Sequence, residues 1–179
     1  MHGIVFSQLQ KYIETKQSNS AWSTLLKRAH LEHRAYSSAS EYPDFEMEAL
    51  VAAAATISGR PASVVLEDFG VFIALPLINT HRHLIPAEWK TLDVISKTEE
   101  TIHAVVRQEN PGAKPPVLHT IRRSADEVVL IYGSARKLCA FAIGIAKGVA
   151  KHFNETIEIT QTKCMHKGAP HCEIVFRKR

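Results

Sequence analysis

Residues 127–136 read Glu127-Val128-Val129-Leu130-Ile131-Tyr132-Gly133-Ser134-Ala135-Arg136, and the rest of the chain is organised around them. Val128 to Ile131 is a short, unbroken aliphatic run of the kind that forms strands. On an extended backbone residues two apart share a face, so Tyr132, Ser134 and Arg136 would project together. Two hydroxyls and a guanidinium make a clasp for an acidic group, because a guanidinium donates paired hydrogen bonds to carboxylate or phosphate. The same residues also describe a Tyr and a Ser in a strand with the Arg in solvent.

Downstream, Leu138, Phe141, Ala142, Ile145, Val149 and Phe153 recur at helical spacing, and residues 156–160 and 172–176 alternate as strands do. Upstream, residues 117–121 give another strand, joined to the first through Ser124-Ala125-Asp126. An antiparallel sheet of about four strands follows. The N-terminal part is helical instead. Val5, Phe6, Leu9, Tyr12 and Ile13 mark one helix, and Trp22, Leu25 and Leu26 mark a second, capped by Asn19 or Ser20. A third helix over 45–57 ends at Ser58-Gly59, with Pro61 beyond. Residues 64–77 form a long helix apolar on most sides, which Pro76 would kink. His30 and His33 read as surface residues, and His81 and His83 as solvated loop residues.

Composition narrows the function classes. At 179 residues the chain fits one domain with a sizeable core, and 45% hydrophobic with 22% charged residues is ordinary for a globular protein. The net charge of +4 is spread among acids, and the one dense basic run is Arg177-Lys178-Arg179, so no nucleic-acid partner is expected. Gly3-Ile4-Val5-Phe6 is too short for a leader or membrane segment, and Gln8, Gln10 and Lys11 follow it. Three cysteines without an export signal point to a reducing cytoplasm.

Residues 88–107 read as one further helix, with Leu92, Ile95, Ile102 and Val106 on a stripe that Glu99 interrupts. His103 falls beside that stripe. A histidine there is either a hydrogen-bonded boundary residue or a ligand; a neutral imidazole on a rigid helix is the usual axial ligand of haem iron.

Taken together, His103, Gly112-Ala113-Lys114-Pro115-Pro116 and Tyr132-Gly133-Ser134-Ala135-Arg136 resemble the haem nitric oxide/oxygen-binding (H-NOX) family. The likeness runs from Met1-His2-Gly3 to the C-terminal strands. It implies an α+β fold, with an N-terminal helical subdomain packed on the C-terminal sheet and its helices, and a haem pocket between them. The whole of 1–179 would be one sensor domain: 1–60 a helical distal part, 61–179 a proximal part with the histidine helix, sheet and cysteine cluster.

The resemblance also implies haem b as cofactor, with His103 as iron ligand and Tyr132, Ser134 and Arg136 on the propionates. Pro116 would press on the porphyrin. Val5, Leu9, Ile73, Leu77, Phe141 and Ile145 would form the distal wall. Oxygen-binding relatives have a tyrosine on the helix after the clasp, and the matching residue here is Phe141, which has no donor. Nitric oxide and CO would therefore bind without a stable oxygen complex. In certain bacterial members three cysteines, matching Cys139, Cys164 and Cys172, hold zinc with a histidine. The fourth position here is Gln161, a poor zinc ligand; His166 and His171 are alternatives, as are three free thiols acting as a redox sensor. The sequence contains no kinase or cyclase motif and no general base beside the cysteines. The resemblance implies a sensor, not an enzyme, acting on a separate histidine kinase or cyclic-di-GMP enzyme. A haem-free relative that binds another apolar acid is the competing reading.

Overall fold

Up to residue 80 the chain is helical: α1 (Gly3–Lys16), α2 (Ala21–Arg28), α3 (Asp44–Ser58) and α4 (Ala62–Thr80). The computed structural model describes residues 1–18, 20–110 and 112–179; Asn19, one of the two expected caps of α2, and Pro111 lie outside them. Ser20 does precede α2, but through its backbone: its carbonyl accepts from the Ser23 and Thr24 hydroxyls. α3 ends at Gly59, whose φ of 65° is the left-handed turn anticipated there.

The rest comprises α5 (Thr91–Lys97), α6 (Ala104–Glu109), β1 (Val117–Ser124), β2 (Glu127–Gly133), α7 (Cys139–His152), β3 (Ile157–Lys163) and β4 (Cys172–Lys178). The four strands form one sheet in the order β1-β2-β4-β3, every neighbour antiparallel. The fold is therefore α+β, as expected. In the register, Tyr132 of β2 stands between Leu118 of β1 and Cys172 of β4.

Two apolar cores result. Phe6, Leu9 and Tyr12 of α1 share the first with Leu25, Leu50, Phe69 and Ile73. The second joins Val128, Leu130, Ile174 and Phe176 of the sheet to Leu92 and Ile95 of α5. α4 is long and apolar enough to cross a membrane by length and composition. It nonetheless runs through the middle of the fold, and its Ala74 and Ile78 form a smaller cluster with Val94 and Val149.

α7 lies directly on α4, and their backbones touch. A Cβ added at Gly144 would stand 2.1 Å from the Glu67 carbonyl oxygen, and one at Gly70 2.4 Å from that of Phe141. Only glycine permits so close an approach.

Two expectations need correcting. Residues 88–107 are not one regular helix. It starts at Thr91, where the Asp93 carboxylate accepts the Lys90 N–H at 3.0 Å and Glu155 accepts the Thr91 N–H at 2.9 Å. Between α5 and α6 lies a π-turn over Glu99–His103, in which the His103 N–H reaches the Thr98 carbonyl at 2.9 Å. His81 is also half-buried rather than solvated, and burial lowers its pKa, while His83 is exposed.

Candidate functional site

The π-turn decides where the His103 side chain goes. Single π-turns concentrate at functional sites because the extra residue re-aims the side chains around it. Here His103 and Glu99, four residues apart, meet with Nδ1 2.9 Å from a carboxylate oxygen. Glu99 also accepts from the Arg107 guanidinium at 2.5 Å and from the Leu118 N–H at 3.2 Å. Its carboxylate thus ties the π-turn to α6 and to β1.

Electrostatics around the pair follow from this contact. Burial lowers the pKa of His103, against the opposing pull of Glu99, so the ring favours its neutral form. Burial would raise Glu99, but the bonds from His103 and Arg107 outweigh it and hold the carboxyl low. With Nδ1 engaged, Nε2 is the nitrogen left for a metal, and the Pro116 backbone lies close to the ring. Sequence periodicity treated Glu99 as a defect in an apolar stripe. Its four-residue spacing from a histidine was the signal that could have found it.

The clasp is built differently from expectation. β2 ends at Gly133, so Arg136 does not continue an extended face with Tyr132. The Ser134 hydroxyl accepts the Arg136 N–H at 3.3 Å, its carbonyl accepts the Lys137 N–H at 3.1 Å, and the chain turns with Lys137 at φ 51°. A serine side chain bonding the backbone two residues on is a common way to leave a strand. Tyr132 is buried, which raises its pKa despite hydrogen bonding from Ser134 and the Leu138 backbone.

Arg136 does grip a carboxylate, that of Asp44 at the start of α3, at 3.2 and 3.3 Å, and it also donates to the Lys114 carbonyl. The N-terminal ammonium of Met1 joins Asp44 at 3.0 Å. Burial would raise the Asp44 carboxyl, but these two cations lower it. Beside the guanidinium lies a cavity of about 180 Å³, walled by Met47, Val51, Leu66 and Leu138. Asp44 was not found from sequence, because nothing local links it to a residue 92 positions away, and the Met1 terminus is farther still from Arg136.

Of the expected apolar wall, Leu9 and Ile73 are fully buried in the N-terminal core, while Val5, Leu77, Phe141 and Ile145 are half-buried and pack against it. Phe141 stacks on Phe69 at 5.1 Å between ring centres. None of these six side chains carries a hydrogen-bond donor.

Cys139, Cys164 and Cys172 come together from α7 and the two sides of the β3–β4 connection, with their sulfurs all within 4.8 Å of one another. Burial pushes the Cys139 thiol up to about 11. Gln161 approaches Cys139, and its buried amide nitrogen meets no hydrogen-bond partner within normal distance among the described residues. His166 is turned elsewhere, its Nε2 2.8 Å from the Lys137 carbonyl, and His171 is half-buried beside Cys172. His30 and His33 are exposed.

Comparisons with known proteins agree with this architecture. The family model described as Haem-NO-binding matches residues 2–161. A crystal structure of an H-NOX protein from S. oneidensis in the Fe(II)NO ligation state has a TM-score of 0.93 at 27% identity, covering 100% of this chain and 99% of that one. The NMR structure of an H-NOX domain from Shewanella oneidensis in the Fe(II)CO state is similar at TM-score 0.89, also at 27% identity, over 100% and 99% of the two chains. The unliganded Fe(II) H-NOX protein from K. algicida shares the fold at TM-score 0.90 and 22% identity, over 100% and 97%. No curated protein matches the chain.

Proposed function

This chain belongs to the haem-NO-binding (H-NOX) family of haem-based gas sensors, and from that premise we propose that it is a nitric oxide-selective sensor that controls a separate signalling protein through His103. Members of the family bind haem and gas ligands such as nitric oxide and CO. Haem, when bound, would supply an iron centre able to take a diatomic gas.

The residues present suit that group. One observation carries the reading: an imidazole fixed through Nδ1 by Glu99, with Nε2 left to bind iron. His103 is the proposed iron ligand. Tyr132, Ser134 and Arg136 hold the propionates, and the guanidinium's grip on the Asp44 carboxylate supports that chemistry. Pro116, beside the His103 ring, presses on the porphyrin. Val5, Leu9, Ile73, Leu77, Phe141 and Ile145 supply an apolar wall. Oxygen needs a donor there to be held; nitric oxide does not. Residues 1–60 form the distal part and 61–179 the proximal part.

Signalling then depends on His103 letting go. The π-turn and α6 relax, the helical part shifts against the sheet, and the changed surface is read by a histidine kinase or a cyclic-di-GMP enzyme in the cytoplasm. The first test is spectroscopic. Haem-loaded ferrous protein should show a Soret band and no lasting oxygenated spectrum in air-saturated buffer; a persistent one overturns the selectivity. The second uses His103→Gly, which should hold the partner in one regulatory state with or without nitric oxide. Unchanged control by that variant overturns the switch.

The three clustered cysteines also support a structural zinc, with Gln161, His166 or His171 completing the site. Zinc favours such tetrahedral thiolate sets. Metal analysis of purified protein should find about one zinc per chain, and replacing Cys172 by Ser should lower it sharply. Zinc-free wild type overturns this reading and leaves three thiols.

A further inference from the structure

We infer that Glu99 is the positioning residue for His103: its carboxylate fixes the ring's tautomer and sets how strongly the imidazole holds iron. The inference rests on the proposed role of His103. It is carried by the three groups bonded to one carboxylate: His103, Arg107 and the Leu118 N–H.

An ionised carboxylate only accepts hydrogen bonds. In the 2.9 Å contact with Glu99 the proton therefore sits on Nδ1 of His103, which leaves the Nε2 lone pair free. A histidine that donates its second N–H to a carboxylate is a more basic ligand, and its ring cannot rotate away. The contact lies within the π-turn, where the His103 N–H bonds Thr98 five residues back rather than Glu99 four back.

The other bonds to Glu99 tune this effect. Arg107 takes the second carboxylate oxygen at 2.5 Å and draws charge away from the imidazole. The Leu118 N–H, at 3.2 Å from the oxygen that meets His103, anchors the group to β1. β1 pairs with β2, where Leu118 faces Tyr132. Glu99 therefore links the histidine to the strand pair leading into the clasp, and Arg107 moderates its electronic push.

Two substitutions with opposite expected signs test this. In haem-loaded, ferrous, unliganded protein, Glu99→Ala should lower the iron–histidine stretching frequency seen by resonance Raman. It should also speed haem transfer to excess apomyoglobin by about 10-fold or more. Glu99→Gln, which still accepts from Nδ1, should fall between Glu99→Ala and wild type. Arg107→Met should raise the frequency, since the carboxylate is then shared among fewer donors. A packing role for Glu99 predicts the same downward shift, or none, for both Glu99→Ala and Arg107→Met, and either result overturns the inference. His103→Gly separates the two levels of the argument. If wild type lacks an iron–histidine band, or that variant keeps it, the reading of His103 has failed. If the band belongs to His103 and Glu99→Ala leaves it unmoved, only the role of Glu99 has failed.

Discussion

The α4–α7 seam and the His103 segment are held by opposite means. At the seam, Gly70, Gly144 and Gly148 bring two helices into backbone contact, and each added Cβ would meet an atom closer than 3 Å. In the π-turn and α6 no residue is fully buried, and the segment is fixed by the hydrogen bonds of Glu99. Close-packed backbone has no room to adjust, whereas a few polar bonds can break and re-form at little cost. If the His103 segment acts as the proposed switch, such a seam would let it move without carrying the scaffold with it.

The heaviest blow to that contrast is Gly144→Val. The Cβ would need to enter the space of the Glu67 carbonyl, a backbone atom of α4 that cannot swing aside. We expect a loss of about 3 kcal/mol from overpacking, or a fall of about 6–12 °C in Tm for a chain of this size. Thermal unfolding of the haem-free variant measures it. Ala104→Val, at an exposed site in α6, should cost only about 0.5 kcal/mol through helix propensity. Equal losses at both positions erase the distinction.

Sequence reading recovered what depends on local pattern. The stripes of α1 and α7, the alternation of the sheet strands and the Gly59 stop all report on neighbours a few residues away, and each was legible. The grouping of Cys139, Cys164 and Cys172 came only through the family likeness, and the fold then brings the three sulfurs together. Long-range contacts were invisible: the Gly144–Glu67 approach, and the grip of Arg136 on Asp44, join residues that no periodicity relates. A third class was visible but misjudged. Glu99 looked like a blemish on an apolar face because helical periodicity treats any carboxylate as surface. Arg136 was assigned to a strand face, because strand alternation was carried past Gly133 into a turn that the Ser134 side chain creates.

A middle-sized effect should come from the upstream anchor of the His103 segment. Glu155 ties the start of α5 to the sheet, accepting from the Thr91 N–H at 2.9 Å and from Lys178 at 2.6 Å. Burial alone would raise its carboxyl, but these bonds hold the pKa down at about 2. The unfolded value is about 4.3. With the folded pKa depressed, the stabilisation is complete above about pH 4.3 and is lost as pH falls towards about 2. After solvent screening it should amount to about 1 kcal/mol, or about 2–4 °C in Tm. Glu155→Gln should lose that much at neutral pH and show a flatter Tm profile between pH 5 and 3. Parallel acid profiles for variant and wild type remove the anchor.

The smallest effect on the bare chain should come from the proposed iron ligand. The His103 side chain is 15% exposed and loses one hydrogen bond on substitution, while Glu99 keeps Arg107 and Leu118. Haem-free His103→Ala should therefore unfold within about 0.5 kcal/mol of wild type, since alanine suits a helix and no cavity opens in either core. Adding haem should separate the two. A ligand that binds only the folded state stabilises by RT ln(1 + [L]/Kd), so a 10- to 100-fold loss of affinity withdraws about 1.4–2.7 kcal/mol of the gain. Measuring Tm with and without haem gives both numbers from one pair of proteins. If the variant is as unstable without haem as with it, His103 is a packing residue in an otherwise ordinary helix. The contrast between a fixed seam and a yielding segment would then have lost its functional meaning.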